Sequence, residues 1–125
     1  MSAAAWIAFL VAAAIGAPAR YLIDGLVQDR TSGAFPWGTF VVNVSGCLAL
    51  GLLTGFSLYH GLDPTARTVI GTGGLGAYTT FSTFTFETVR LAEEGAVNDA
   101  VRNAVGSLLA GLAAASAGLA IAALV

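Results

Sequence analysis

The sequence predicts an all-α integral membrane protein with four transmembrane helices, the third of them broken near its middle. The first observation behind this is composition: 57% of the 125 residues are hydrophobic, only 10% are charged, and lysine is absent. An ordinary soluble domain carries about 25% charged residues. This chain therefore cannot cover a globular surface with polar groups, and a membrane protein is expected.

Length supplies the second observation. Four apolar stretches cover roughly residues 3–26, 35–59, 67–92 and 97–125. Each reaches the about 20 residues that a helix needs to cross a bilayer core. Asp63-Pro64 predicts the start of the third helix. Only Glu93-Glu94-Gly95 separates the third helix from the fourth, so these two are expected to form an antiparallel hairpin within a single domain, residues 1–125.

The third observation is the sequence of the third stretch. Four glycines occur within the six residues 71–76, and a run of hydroxyl and phenyl side chains follows them. Glycine weakens a helix, and hydroxyls at membrane depth need partners. We expect the helix to be interrupted between Gly76 and Thr79 and to restart near residues 79–81. Carbonyl groups freed by such an interruption can bind a hard cation such as Na⁺.

Polar side chains on three helices are candidates for a permeation pathway. After the restart, Phe81 and Phe84 are neighbours on one face, while Thr80, Thr83 and Glu87 form an adjoining face. On the second helix, Thr39 and Asn43 share a face, as Asn103 and Ser107 do on the fourth.

Two of the polar residues have alternative interpretations. The carboxamide of Asn43 either joins helices by hydrogen bonds or contacts a permeating species. Arg20 either faces the bundle interior or an aqueous cavity, or extends to the membrane surface beside Tyr21.

Several functions are excluded. The only histidine is His60, in a connector, so hydrolytic Ser/His/Asp chemistry has no partners. The glycine run lacks the Lys-Ser/Thr ending of a P-loop. The net charge is −2, and no basic stripe is present for nucleic acid. The protein is not expected to be an enzyme.

A bundle of this size is expected to work as an oligomer in the lipid bilayer. Gly51, Gly55, Gly111 and Gly118 recur at helical spacing. Small residues of this kind allow close helix packing, either within one chain or between two. The arginines are distributed with only a weak bias between the two sides, so insertion in both orientations is compatible with the positive-inside rule.

Three motifs in order resemble the Fluc (CrcB) family of fluoride channels over essentially the whole chain. Gly16-Ala-Pro-Ala-Arg-Tyr21 resembles the first-helix pattern G-A-x-x-R-Y, and Gly38–Gly46 resembles the second-helix pattern G-T-x-x-x-N-x-x-G. Gly73–Phe84 resembles the third-helix signature G-x-x-G-x-x-T-T-F-S-T-F. Ala77-Tyr78, before the Thr-Thr pair, is bulkier than the small residues common in the family.

The resemblance implies an antiparallel, dual-topology homodimer in the cell (inner) membrane, with two pores that export cytoplasmic fluoride passively. It implies a structural Na⁺ at the dimer centre, held by the backbone carbonyls of Gly76 and Thr79. It also implies a fluoride pathway along Asn43, Phe81, Phe84, Ser82, Thr83, Ser107, Asn103, Thr39, Glu87 and Arg20.

Two other functions compete with the channel. A proton-coupled exporter of the small multidrug-resistance type also uses four short helices and dual-topology dimers. Its mechanism needs an acidic residue central in the first helix, where this chain has apolar residues before Pro18 and Arg20. A non-transporting assembly subunit would leave the aligned polar faces unexplained.

Overall fold

Helices alone build the structure, a computed structural model that describes all 125 residues. We number them α1 (Ala3–Gln28), α2 (Trp37–Tyr59), α3 (residues 64–78), α4 (Phe81–Glu93) and α5 (Val97–Leu124). α1 packs against α2 and α3, and α2 packs along α5. α4 and the first turns of α5 form a hairpin, which turns at Gly95 with a φ of 82°.

Three of these helices are long and apolar enough to cross a membrane, namely α1, α2 and α5. The prediction of an all-helical, multi-pass membrane protein is thereby confirmed, and their ends lie within two residues of the predicted ones. The predicted third helix is divided between α3 and α4, each too short to cross a bilayer alone. Four crossings therefore remain a prediction.

Side-chain caps fix the starts of three helices. The Ser2 hydroxyl accepts a hydrogen bond from the Ala5 N–H at 3.2 Å, and the Asp63 carboxylate accepts one from the Ala66 N–H at 2.9 Å. The second cap confirms the Asp63-Pro64 start signal. Thr80 caps α4 in the same way, as expected of a hydroxyl residue just before a helix.

The glycine run of α3 is helical. The helix also continues through Gly76–Tyr78, where the interruption was expected to begin. Residues Thr68–Leu75 form wide π-helical turns, and the Gly76 N–H donates to the Gly71 carbonyl. Close packing explains Gly73, because a Cβ there would come 3.0 Å from the Phe9 carbonyl oxygen. Here glycine lets α1 approach the backbone of α3, and the helix ends only at Tyr78.

Glycines also create the α2–α5 contact. A Cβ on Gly51 would overlap the Ala115 carbonyl, and one on Gly118 would overlap the Leu48 carbonyl. These glycines therefore serve packing within one chain, and they do not support the prediction of an oligomer.

Much of the apolar surface remains uncovered by the chain. Only 17 of the 125 residues are buried, and large apolar side chains on every helix are exposed. A surface of this kind needs lipid or another protein chain to cover it.

We predict that Gly118→Val prevents α2 and α5 from docking, because the new side chain would occupy the position of the Leu48 carbonyl. Size-exclusion chromatography in mild detergent should show little monodisperse protein. Gly25→Ala is the control, since a Cβ at Gly25 meets nothing within 4 Å. A monodisperse Gly118→Val variant with wild-type thermal stability would contradict this packing.

Candidate ion pathway

Thr79 and Thr80 are the two residues between α3 and α4, and both adopt extended backbone conformations. Thr79 has φ −80° and ψ 162°, and Thr80 has φ −146° and ψ 122°. The interruption removes the four helical hydrogen bonds that would join the N–H groups of residues 80–83 to the carbonyls of residues 76–79. Two of these N–H groups, those of Thr80 and Thr83, have other acceptors. In a continuous helix the Thr80 N–H would donate to the Gly76 carbonyl and the Thr83 N–H to the Thr79 carbonyl. Instead they donate to Asn43 Oδ1 and to Thr80 Oγ1.

The side chain of Asn43 holds this interruption from α2. Its Nδ2 donates to the Thr80 carbonyl and its Oδ1 accepts from the Thr80 N–H, both at 2.8 Å. One carboxamide thus replaces the helical partners of both backbone groups of Thr80, its N–H and its carbonyl, as buried backbone groups require. Asn43 is therefore a link between helices. Its second N–H has no partner in the chain, so it can also contact an ion.

Arg20 turns into the bundle. Its Nη1 donates to the Thr79 carbonyl at 3.2 Å, so α1 also contacts the interruption. The carbonyls of residues 76–79, those of Gly76 and Thr79 among them, have lost their helical donors, and the Thr79 carbonyl accepts from Arg20 in compensation. Together with their position at a helix end, this makes the carbonyls of Gly76 and Thr79 candidate cation ligands.

A groove of about 550 Å³ opens on one side of the interruption. Four predicted pathway residues line it: Asn43, Phe81, Phe84 and Ser107. The rings of Phe81 and Phe84 are 5.9 Å apart and inclined at 42°. Phe81 is 77% exposed, so the chain itself leaves its ring largely uncovered.

A smaller cavity of about 180 Å³ lies on the other side. Arg20, Thr39 and Thr83, all predicted pathway residues, line it together with Asp24. The Thr39 hydroxyl is buried and has no partner with hydrogen-bond geometry, although it lies beside the equally unpartnered Glu87 carboxylate. A buried hydroxyl without a hydrogen-bond partner costs free energy. The wall of this cavity therefore contains a polar group for which the chain itself supplies no partner.

Three predicted pathway residues line neither space: Glu87, which lies beside Thr39, and Asn103 and Ser82. Asn103 is fully buried, and it donates to Thr88 Oγ1 at 2.8 Å and accepts from the Ser107 hydroxyl at 3.2 Å. These bonds connect α5 to α4. Ser82 is exposed, with its hydroxyl 3.4 Å from that of Thr80. Their contact with a permeating ion stays a prediction.

Sequence reasoning left Thr80 and Asp24 outside the predicted pathway. Thr80, predicted to lie on a polar face, is the cap of α4. Its position just before the predicted restart is the signal that could have identified this role. Asp24 lies within α1, which continues to Gln28, and it occurs four residues after Arg20, so both side chains face the same cavity.

Known proteins resemble this chain over most of its length. Residues 7–119 match the family described as CrcB-like protein, Camphor Resistance (CrcB). The Fluoride-specific ion channel FluC 1 of Streptomyces avermitilis is 50% identical over 114 residues, which are 91% of this chain and 92% of that protein. The Fluoride-specific ion channel FluC of Nitratidesulfovibrio vulgaris is 50% identical over 104 residues, 82% of this chain and 84% of that protein. The Fluoride-specific ion channel FluC 2 of Mycobacterium bovis is 42% identical over 118 residues, 94% of this chain and 90% of that protein.

We predict that Asn43→Asp destabilises the protein, because a carboxylate oxygen would face the Thr80 carbonyl in place of an N–H. An unsatisfied buried polar group costs about 1–3 kcal/mol, so the melting temperature in detergent should fall by roughly 5 °C or more. Asn98→Asp makes the same chemical change at an exposed position in the first turn of α5. Equal melting temperatures for the two variants would show that Asn43 does not hold the interruption.

Proposed function

The chain belongs to the CrcB family, a family of membrane transport proteins rather than enzymes, and from this membership we propose that it is a fluoride-selective channel. It lets cytoplasmic fluoride leave through the cell membrane without coupling to another ion. The observation that carries the proposal is the grouping of uncharged donors and phenyl rings at the helix interruption. Asn43, Phe81, Phe84 and Ser107 meet in one groove there.

These groups have the chemistry to replace the water around fluoride. The free N–H of Asn43 can donate to the ion, and a hydroxyl such as that of Ser107 can rotate to do the same. The edges of the Phe81 and Phe84 rings carry positive partial charge. Binding through several weak, neutral contacts lets an ion leave as readily as it binds. A narrow pathway with donors suited to a compact anion also disfavours chloride.

Arg20 and Thr39 fit the aqueous side of this pathway. Both line the smaller cavity, where a guanidinium attracts anions and the unpartnered Thr39 hydroxyl can donate to one. Glu87 and Thr83 would extend the polar surface along α4.

The working unit in this proposal is an antiparallel homodimer with two pores and a central Na⁺. Two copies together would cover the exposed Phe81 and the open groove. The carbonyls of Gly76 and Thr79 would hold the ion, and the loss of their helical donors fits that role. When bound, Na⁺ would neutralise carbonyl dipoles brought together from the two copies.

The first test is ion efflux from liposomes that contain the purified protein. We expect rapid fluoride loss without a pH gradient and negligible chloride loss. Fluoride loss only under an imposed proton gradient would support the proton-coupled exporter instead. Absence of both fluxes from folded dimer would support the assembly subunit.

A second test concerns the phenyl rings. Phe81→Ile and Phe84→Ile should each lower fluoride efflux by at least roughly tenfold, the equivalent of about 1.4 kcal/mol in a barrier, because an aliphatic chain lacks a positive edge. Phe86→Ile is the matched control, as Phe86 lies on the same helix, is 66% exposed and lines neither cavity. Normal efflux from both test variants would remove the rings from the pathway.

A third test concerns the cation. Light scattering in detergent should show a larger dimer fraction in Na⁺ than in N-methylglucamine at equal ionic strength. A dimer fraction independent of Na⁺ would count against a structural ion at Gly76 and Thr79, while leaving the channel proposal in place.

A further inference from the structure

The two cavities on either side of the helix interruption have a single lining residue in common, Thr80. The groove has Asn43, Phe81 and Phe84 in its wall, and the smaller cavity has Arg20 and Thr39. Thr80, which is itself only 8% exposed, therefore lies on the boundary between the two spaces.

Thr80 is held firmly at this position. Its backbone is fixed on both sides by the Asn43 carboxamide at 2.8 Å. Asn43 and Thr39 are four residues apart on α2, yet one lines the groove and the other the smaller cavity. Polar groups of α2 thus face both sides of Thr80, and the Thr39 hydroxyl among them has no partner in the chain.

The hydroxyl of Thr80 can exchange partners. Its oxygen accepts from the Thr83 N–H at 3.2 Å, and its proton is directed to Thr83 Oγ1 at 3.0 Å. A hydroxyl proton rotates about its C–O bond, so it can turn to an anion while the oxygen continues to cap α4. Thr83 Oγ1 then loses only the hydrogen bond that it accepted from Thr80. Thr83 lines the smaller cavity, where its hydroxyl can itself donate to the anion.

We propose that the Thr80 hydroxyl is the donor that transfers fluoride between the smaller cavity and the groove. The inference rests on the proposed channel function and adds a residue to its pathway. The backbone and cap contacts of Thr80 position the hydroxyl, and its own O–H touches the ion.

The test is fluoride efflux per amount of folded, reconstituted protein. Thr80→Val keeps the shape of the side chain but removes the donor, and efflux should fall at least roughly tenfold. Thr80→Ser keeps the hydroxyl and should stay within about threefold of the wild type. Thr80→Asp retains a cap for α4 if the valine variant fails to fold. Its negative charge at the junction should also lower efflux at least roughly tenfold.

Thr68→Val is the matched control. The Thr68 hydroxyl donates to the Pro64 carbonyl at 2.9 Å, and Thr68 lines neither cavity, so efflux should equal that of the wild type. Wild-type efflux from folded Thr80→Val or Thr80→Asp would overturn the role of Thr80 and leave the channel proposal intact. A wild-type protein that passes no fluoride would instead overturn the channel proposal and this inference together.

Discussion

The pair of hydrogen bonds between the Asn43 carboxamide and the backbone N–H and carbonyl of Thr80 is the interaction on which the rest of the site depends. An interrupted helix within a membrane protein leaves backbone groups that lipid cannot satisfy. Asn43 satisfies one N–H and one carbonyl at once, Thr80 Oγ1 caps α4, and Arg20 bonds the Thr79 carbonyl. Side chains of α1 and α2, together with that of Thr80 itself, make the extended conformation of Thr79 and Thr80 stable.

The interruption in turn creates the spaces beside it. Because α3 and α4 do not continue into one another, Phe81 and Phe84 face an open groove while Thr83 faces the smaller cavity. The glycines contribute elsewhere: they let α1 contact the backbone of α3 and α2 contact that of α5. Glycine thus allows close helix packing, while threonine and asparagine supply the polar contacts at the interruption. The two kinds of contact occur in neighbouring parts of one chain.

Composition and periodicity were enough to predict the membrane class and the ends of α1, α2 and α5, since both depend on local sequence. The interruption was predicted between Gly76 and Thr79 and lies at Thr79 and Thr80, and the restart predicted near residues 79–81 occurs at Phe81. Glycine has a low intrinsic helix propensity, but tertiary packing of Gly73 against Phe9 outweighs it. The choice between the two interpretations of Asn43 was also beyond the sequence, because its partner Thr80 is 37 residues away. The burial of Asn103 depends likewise on α4, through Thr88.

The measurement that tests this account most directly is fluoride efflux from liposomes that contain Asn43→Leu. Leucine is similar in size but cannot form hydrogen bonds with the backbone N–H and carbonyl of Thr80. At equal amounts of folded protein, efflux should fall at least roughly tenfold relative to the wild type. Asn98→Leu, altered at an exposed position, should be unaffected. Wild-type efflux from folded Asn43→Leu would contradict the claim that this contact holds the pathway in its conducting form.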